Sequence, residues 1–253
     1  MKKRNGLLAA FLALALVAGA ACGKKSPTSP DDGSSGLEFS GTITQGGTAM
    51  AGVTVYLSWG ASQSVVTGSD GKFSFTGLAS GSYIVTPVRA GSRFEPRNYE
   101  VALTRKDLNF AANAANYGTQ VGNIAKDFTA KNQGGSSVSL ASYLGKVVLI
   151  DFTANWCVPC REKAQTANAF YNQYKDRGFI YILIVIEGSP ASWAAEYGLT
   201  FPVLDDNSRT IYNQWRTSGS IPLPHVLDRN HNIQYKKEGG SKEEYEALIK
   251  KYL

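Results

Sequence analysis

The sequence is poor in residues that bind metal ions, with two histidines and three cysteines among its 253 residues. Cys157 and Cys160 have the spacing of half a zinc site, and the missing ligands would have to be His225 and His231. Those histidines lie far along the chain and do not have the spacing found in zinc fingers. The sequence therefore predicts no metal site.

The N-terminal apolar run is too short to cross a bilayer. It extends from Leu7 to Val17, about 11 residues, whereas a membrane-spanning helix needs about 20. Basic residues precede it at positions 2–4, and small residues follow it at positions 18–21. This order is typical of an export signal. We therefore expect residues 1–21 to be a signal peptide that is absent from the mature protein.

There is little excess charge once this signal is set aside. The formal net charge of +6 includes Lys2, Lys3 and Arg4, so +3 remains without them. Lys24 and Lys25 could attract an anionic membrane surface by about 1 kcal/mol each, or be solvated residues of a linker. Nothing in this balance requires nucleic acid, and we expect no nucleic-acid partner.

A Cys-x-x-Cys pair follows a buried strand and begins a helix. The apolar run Val147 to Ile150 precedes the pair, and a polar, alanine-rich run follows it. A helix N-terminus stabilises a thiolate, so Cys157 is the candidate nucleophile. Cys160 lies one helical turn further and is the candidate resolving thiol, close enough to form a Cys157–Cys160 disulfide. The alternatives are half a zinc site and a passive disulfide, although so short a loop removes little entropy from the unfolded chain.

The segment Asp151 to Cys160, ending in Trp156-Cys157-Val158-Pro159-Cys160, resembles the active-site segment of the thioredoxin superfamily. Cys-x-Pro-Cys is similar to its extracytoplasmic, membrane-tethered oxidoreductases of the TlpA and ResA type, and the resemblance extends over roughly residues 117–253. It implies that Asp151 is the buried acid that takes the proton from Cys160. A desolvated carboxylate is a stronger base, which fits this role. An ordinary strand-end acid is the alternative.

The same resemblance implies a cis-proline beside the cysteines. Pro222 fits the family's count to the end of the following strand, and Pro224 is the rival candidate. The backbone of Ile221 would then pair with the substrate. Substrate contacts are accordingly expected at four residues: Trp156, Pro159, Ile221 and Pro222. His225 either tunes Cys157 or is a structural histidine.

Two positions depart from the family pattern. Thr153 stands where thioredoxin has a tryptophan, and Lys163 stands where cytochrome-maturation members often carry an acid. We therefore do not assign apocytochrome as the substrate. Arg161 follows Cys160, which excludes a Cys-x-x-Cys-His haem attachment site.

Cys22 directly follows the predicted signal, as in bacterial lipoproteins. The resemblance implies lipidation of Cys22 and a location in the cell envelope, outside the cytoplasm. Gly19 departs from the pattern, because leucine is typical there, and a secreted protein with a free thiol is the alternative. If Cys22 is lipidated, the other two cysteines can pair with each other and no free thiol remains.

Residues 22–36 are rich in serine, proline and glycine and predict a flexible tether.

Residues 37–112 consist of short alternating segments separated by glycine and aspartate turns, which predicts an all-β sandwich. The run from Ser40 to Tyr83 is similar to the carboxypeptidase-regulatory-like, transthyretin-like fold. We expect five side chains to point inward: Val53, Val55, Leu57, Phe73 and Phe75. Trp59 and Tyr99 could bind a glycan or a partner, but we predict that both pack into the fold. The last strand is predicted at Asp107 to Phe110.

Residues 113–123 form a predicted linker, and residues 124–253 alternate strands with helices. This pattern predicts a three-layer α/β thioredoxin fold with a mixed central sheet. The expected elements after the cysteines are a helix over 161–176, a strand over 179–186, a helix over 190–197, a strand over 201–205, a helix over 208–216, strands over 221–227 and 232–237, and a capped helix over 241–252.

We therefore predict a two-domain enzyme that exchanges electrons with protein thiols and disulfides and is more suited to reduction than oxidation. It needs no organic cofactor or metal, but a membrane redox partner must regenerate the dithiol. One alternative is a peroxiredoxin-like peroxidase, although the Pro-x-x-x-Thr-x-x-Cys pattern is missing before Cys157. The other is a non-enzymatic surface scaffold or adhesion protein.

Overall fold

The computed structural model describes residues 36–253. The predicted signal peptide, Gly19, Cys22 and most of the predicted tether lie outside the described residues and stay predictions. No helix among residues 36–253 is long and apolar enough to span a membrane.

The N-terminal part is a β-sandwich of two sheets. One sheet has the strand order β2-β1-β9-β7, with β5 also paired to β1, and the other has the order β4-β3-β6-β8. The strands are β1 (Leu37–Gln45), β2 (Thr48–Ala49), β3 (Thr54–Trp59), β4 (Gln63–Val66), β5 (Lys72–Leu78), β6 (Tyr83–Val88), β7 (Ser92–Glu95), β8 (Tyr99–Val101) and β9 (Phe110–Ala114). The five side chains predicted to point inward are all buried in the core between the sheets.

Three predictions for the sandwich were wrong. The last strand is β9 rather than Asp107 to Phe110, because Ala111 to Ala114, with little intrinsic strand preference, pairs along its whole length with β7, and Ala111 and Ala112 also pair with β1. Strands β2 and β7 were not predicted at all. Trp59 is 45% exposed at the end of β3, where the backbone φ is 74°. Tyr99 does pack into the fold, with its ring edge-on to Phe110.

The C-terminal part has a five-stranded sheet with the order β16-β15-β14-β17-β18. Strands β14, β15 and β16 are parallel, and β17 and β18 are antiparallel to their neighbours. The elements are β10 (Tyr117–Gly118), β11 (Ile124–Ala125), β12 (Thr129–Lys131), β13 (Ser137–Ser139), β14 (Val147–Ala154), α1 (Val158–Tyr174), β15 (Phe179–Glu187), α2 (Pro190–Tyr197), β16 (Val203–Asp205), α3 (Thr210–Trp215), β17 (His225–Leu227), β18 (Ile233–Lys236) and α4 (Lys242–Tyr252).

Alternate residues of β14 supply two cores, one on each face of the sheet. Val147 and Leu149 pack with α1, α2 and α4, whereas Val148, Ile150 and Phe152 pack with α3. The predicted three-layer fold is therefore confirmed. The predicted helix over 190–197 has the expected bounds, and Ser241 and Glu244 form the expected capping box before α4.

Prolines account for two shifts in the predicted bounds. Helix α1 begins at Val158 instead of Arg161, because a proline is tolerated in the first turn of a helix. Strand β17 begins at His225 instead of Ile221, because Pro222 and Pro224 have no N–H group to donate to a neighbouring strand.

The turn between β17 and β18 contacts both parts of the molecule. The Asn230 side chain donates to the Pro87 carbonyl oxygen at 2.7 Å and accepts from the Arg89 N–H at 3.3 Å. Arg97 of the sandwich lies 3.8 Å from the Asp228 carboxylate. Strand β17 lies between this turn and the loop that contains Pro222 and Pro224. The sandwich is therefore in contact with the turn at one end of β17, and the proline loop lies at the other end.

Candidate active site

Cys157 and Cys160 are joined by a disulfide bond at the N-terminus of α1, with their Cα atoms 5.3 Å apart. Strand β14 ends at Ala154, and a two-residue turn brings Cys157 to the N-cap position of the helix. The Cys160 N–H donates to Cys157 Sγ at 3.3 Å. This N–H and the helix dipole stabilise negative charge on Cys157 when the bond is reduced.

The Ile221–Pro222 peptide bond is cis, as predicted for Pro222 over Pro224. The carbonyl oxygen of Ile221 lies 3.7 Å from Cys157 Sγ. A groove of about 600 Å³ runs beside these atoms. Its walls include Pro159 and Lys163 of α1, Ile221, Pro222, and Tyr245 of α4. The predicted cis-proline loop therefore lies directly beside Cys157 and forms part of the wall of an open groove.

The rim of the cysteine pair is apolar and exposed, although the sulfur-bearing residues are buried. Trp156 is 55% exposed and Val158 is 53% exposed, whereas Cys157 is only 3% exposed. Exposed large apolar side chains at a reactive centre are suited to contact with another protein. Trp156 is therefore accessible to another protein, and its contact with a substrate stays a prediction.

Asp151 is buried beneath the disulfide and paired with a lysine. Its Oδ2 lies 2.5 Å from Lys163 Nζ, and the Tyr181 hydroxyl donates to Oδ2 at 3.5 Å. Cys160, Asp151 and Lys163 line the same small cavity. The sequence shows Lys163 only as a departure from a family pattern. Its position three residues after Cys160, on the same side of the helix, is the signal that could have located it.

His225 does not face the cysteines. It is fully buried against Phe152 and Trp215, on the face of the sheet opposite the core that contains Cys157. Its Nδ1 lies 3.0 Å from the Leu223 carbonyl oxygen. Burial lowers the pKa of His225 to about 3, and the charge of Lys236 acts in the same direction. The structural interpretation of this histidine is therefore the one that the geometry supports.

We expect the His225→Asn variant to be less sensitive to acid than the wild type. Below the ordinary pKa of about 6.5 the unfolded histidine binds a proton, whereas the folded one stays neutral until about pH 3. Folding stability therefore falls as the pH decreases through this window, by up to about 1.4 kcal/mol per pH unit. Asparagine keeps a donor for the Leu223 carbonyl group but does not titrate.

Urea unfolding of both proteins at several values between about pH 7 and pH 5 gives the two slopes. The difference between the slopes is the readout, since other groups contribute to both. His231, whose pKa burial also lowers, is present in both proteins. Parallel slopes would show that His225 gains a proton in the folded protein over this range.

Comparison with known proteins agrees with this geometry. A family model described as the AhpC/TSA family matches residues 121–236. The thiol-disulfide oxidoreductase ResA of Geobacillus kaustophilus is 32% identical over 118 residues, which cover 45% of this chain and 67% of that protein. ResA of Bacillus cereus is 30% identical over 138 residues, which cover 52% of this chain and 78% of that protein. The chain belongs to the ResA family of thiol-disulfide oxidoreductases.

The N-terminal part of this ResA-family chain matches a second model. A carboxypeptidase regulatory-like domain is recognised over residues 38–115, which confirms the resemblance seen in the sequence. A solved structure of a putative thiol:disulfide interchange protein DsbE from Chlorobium tepidum aligns over 52% of this chain and 94% of that chain. It is 26% identical, with a TM-score of 0.47.

Proposed function

We propose that this ResA-family chain exchanges electrons with protein disulfides through Cys157 and Cys160, with Asp151 as the proton acceptor for Cys160. The observation that carries the proposal is the disulfide at the N-terminus of α1, with a buried carboxylate lining the cavity beneath Cys160. A backbone N–H group donates to Cys157 Sγ and favours its thiolate, which suits it to attack the target. The carboxylate near Cys160 can remove the proton of that thiol, which suits Cys160 to the resolving step.

The proposed reaction has two steps. The Cys157 thiolate attacks one sulfur of a target disulfide, so a mixed disulfide forms and one target thiolate leaves. Asp151 takes the proton of Cys160, and the Cys160 thiolate attacks Cys157 Sγ. The Cys157–Cys160 bond forms, and the second target thiolate leaves and takes up a proton. Two electrons pass from the dithiol to the target.

The open groove supports a protein as the substrate. Trp156 and Val158 provide exposed apolar contact area, and the Ile221 carbonyl oxygen beside Cys157 can accept a hydrogen bond from an extended target segment. Pro159 and Pro222 line the wall between these contacts. A target cysteine in such a segment would approach Cys157 Sγ along this wall.

We further propose that the protein works outside the cytoplasm, attached to a membrane through a lipid on Cys22. The predicted export signal, the cysteine that follows it and the polar tether support this location. A membrane redox partner would then regenerate the dithiol, and reduction of targets is the proposed direction.

The midpoint potential of the Cys157/Cys160 pair tests the proposal. It is measured in the full chain carrying Cys22→Ser, by equilibration with defined thiol buffers and alkylation of free thiols. We expect a value near or below about −230 mV, as in reducing members of this class of dithiols. A value near or above about −180 mV would reverse the direction. Absence of a reversible two-electron couple would contradict the enzyme assignment in favour of a scaffold.

A further inference from the structure

Lys163 forms a buried ion pair with Asp151 directly below the redox centre. The Lys163 side chain is 16% exposed and that of Asp151 is 2% exposed. Lys163 Nζ also lies 4.5 Å from the centre of the Tyr245 ring, which covers the pair from α4. Helix geometry explains the position, because Lys163 is one turn after Cys160 and the two side chains lie on the same side of α1.

A cavity of about 10 Å³ lies among these groups. Asp151, Thr153, Cys160 and Lys163 line it, together with Tyr181. Thr153 Oγ1 has no hydrogen-bond partner within residues 36–253 and is completely buried. The cavity volume is close to the space that one water molecule needs. The carboxylate, the ammonium group and the resolving cysteine therefore line one small buried cavity, whose remaining wall is made of apolar residues of β14, α1 and β15.

Lys163 is the cation that pairs with Asp151. The charge of Asp151 also acts on three tyrosines: Tyr181 from β15, Tyr235 from β18 and Tyr245 from α4. Burial raises the pKa of each tyrosine, and the charge of Asp151 raises it further. The tyrosines therefore stay neutral near neutral pH, and Lys163 supplies the positive charge beside the carboxylate.

We propose that Lys163 is a positioning residue for the resolving step, holding Asp151 ionised so that it can accept the proton of Cys160. The proposal rests on the proposed function. A buried carboxylate without a counter-ion would keep its own proton near neutral pH and could not take another. An adjacent ammonium group favours the carboxylate.

Lys163 also makes the transfer of charge less costly. When the proton moves from Cys160 to Asp151, the negative charge moves from the carboxylate to the sulfur. Both groups line the cavity that Lys163 lines, so the same ammonium group faces the charge before and after the transfer. The thiolate then attacks Cys157 Sγ, and the target thiolate that leaves takes up a proton. No other reactant is needed.

The test separates the two steps of exchange. Reduced full chain carrying Cys22→Ser is mixed rapidly with one equivalent of the chromogenic disulfide dithionitrobenzoate. Attack by Cys157 releases the first coloured thiolate, and attack by Cys160 releases the second. The rate of the second phase is measured against pH. We expect Lys163→Met to slow this phase about tenfold at neutral pH and to move its midpoint up by about one pH unit.

Three variants control the experiment. Lys163→Arg keeps the charge and should keep the wild-type pH profile. Lys250→Met removes an exposed lysine of α4 that pairs with Glu246 and does not line the groove, and it should also leave the profile unchanged. On an Asp151→Asn background, adding Lys163→Met should have no further effect on the profile. If Lys163→Met alone does not fold, Lys163→Gln, which also removes the charge but keeps a polar end to the side chain, takes its place and should show the same change in the profile.

Two results would overturn the inference. One is a profile for folded Lys163→Met that superimposes on those of the wild type and Lys250→Met. The other is a change caused by Lys163→Met when Asp151 is already asparagine, because Lys163 would then act by another route. A wild-type chain that releases no second thiolate would instead contradict the proposed function itself, so the two failures are distinguishable.

Discussion

Replacing Cys160 by serine should stop turnover at the covalent intermediate. The Cys157 thiolate still attacks the target, but no thiol is present to release it, so a stable mixed disulfide accumulates. Replacing Cys157 by serine should prevent the intermediate from forming. We expect both variants to lose at least about a thousandfold in turnover of a protein disulfide, because each lacks a group that forms a covalent bond in the reaction.

Mass spectrometry of the protein after incubation with a disulfide-containing target separates the two variants. The Cys160→Ser protein should gain the mass of the target, and the Cys157→Ser protein should not. Cys22→Ser, which keeps both redox cysteines, is the matched control and should retain full turnover. An adduct on Cys160 in the Cys157→Ser protein, at the wild-type rate, would reverse the assigned roles.

The largest loss of stability from a single polar residue is expected for Arg229→Ala. Arg229 is 6% exposed in the turn between β17 and β18. Its guanidinium group donates to the carbonyl oxygens of Gly145 and Leu253, both at 2.8 Å, and to that of Arg177 at 3.3 Å. It also lies 5.9 Å from the centre of the Tyr56 ring in the sandwich.

Alanine at position 229 would leave three carbonyl groups without this donor and a cavity beside Tyr56. We expect the free energy of unfolding to fall by about 3–5 kcal/mol. Denaturant unfolding followed by tryptophan fluorescence measures the change. Arg209→Ala is the control, since its ion pair with Glu187 is 44% and 54% exposed and should contribute less than about 1 kcal/mol. Equal losses for the two variants would show that the buried contacts of Arg229 add nothing.

The sequence was most informative where interactions are local. Cys157 and Cys160 are three residues apart at the start of a helix, so the helix itself brings the sulfurs together. Ser241 and Glu244 satisfy each other's backbone groups within one turn, and the capping box was found for that reason. Alternation in β3 and β5 was enough to predict which side chains enter the sandwich core, because the period of a strand is two.

Predictions were weaker where neighbours come from distant parts of the chain. Ala111 to Ala114 becomes a strand because β7 pairs with all four residues and β1 pairs with the first two. Trp59 is a large apolar side chain, yet it is exposed, because it is the last residue of β3 and lies at the edge of the sandwich core. His225 follows a proline loop that lies beside the cysteines, yet its own side chain points to the opposite core.

The register of β14 against β17 explains the position of His225. Ile150 pairs with His225 in that register, so His225 shares a face of the sheet with the α3 core, and Val226 shares the face of the cysteines. A register shift of one residue would place His225 on the face of the cysteines and Val226 on the face of the α3 core. Local sequence patterns do not specify this register, since it depends on the pairing of segments that are far apart in the chain.

The sequence by itself determined the redox pair, its position between a buried strand and a helix, and the two-domain arrangement, because each depends on spacing and periodicity within short segments. The tertiary structure decided that Lys163 pairs with Asp151, that His225 faces the α3 core and that Arg229 faces the sandwich. Those contacts depend on which strands pair and in which register, so they arise only when the whole sheet is assembled.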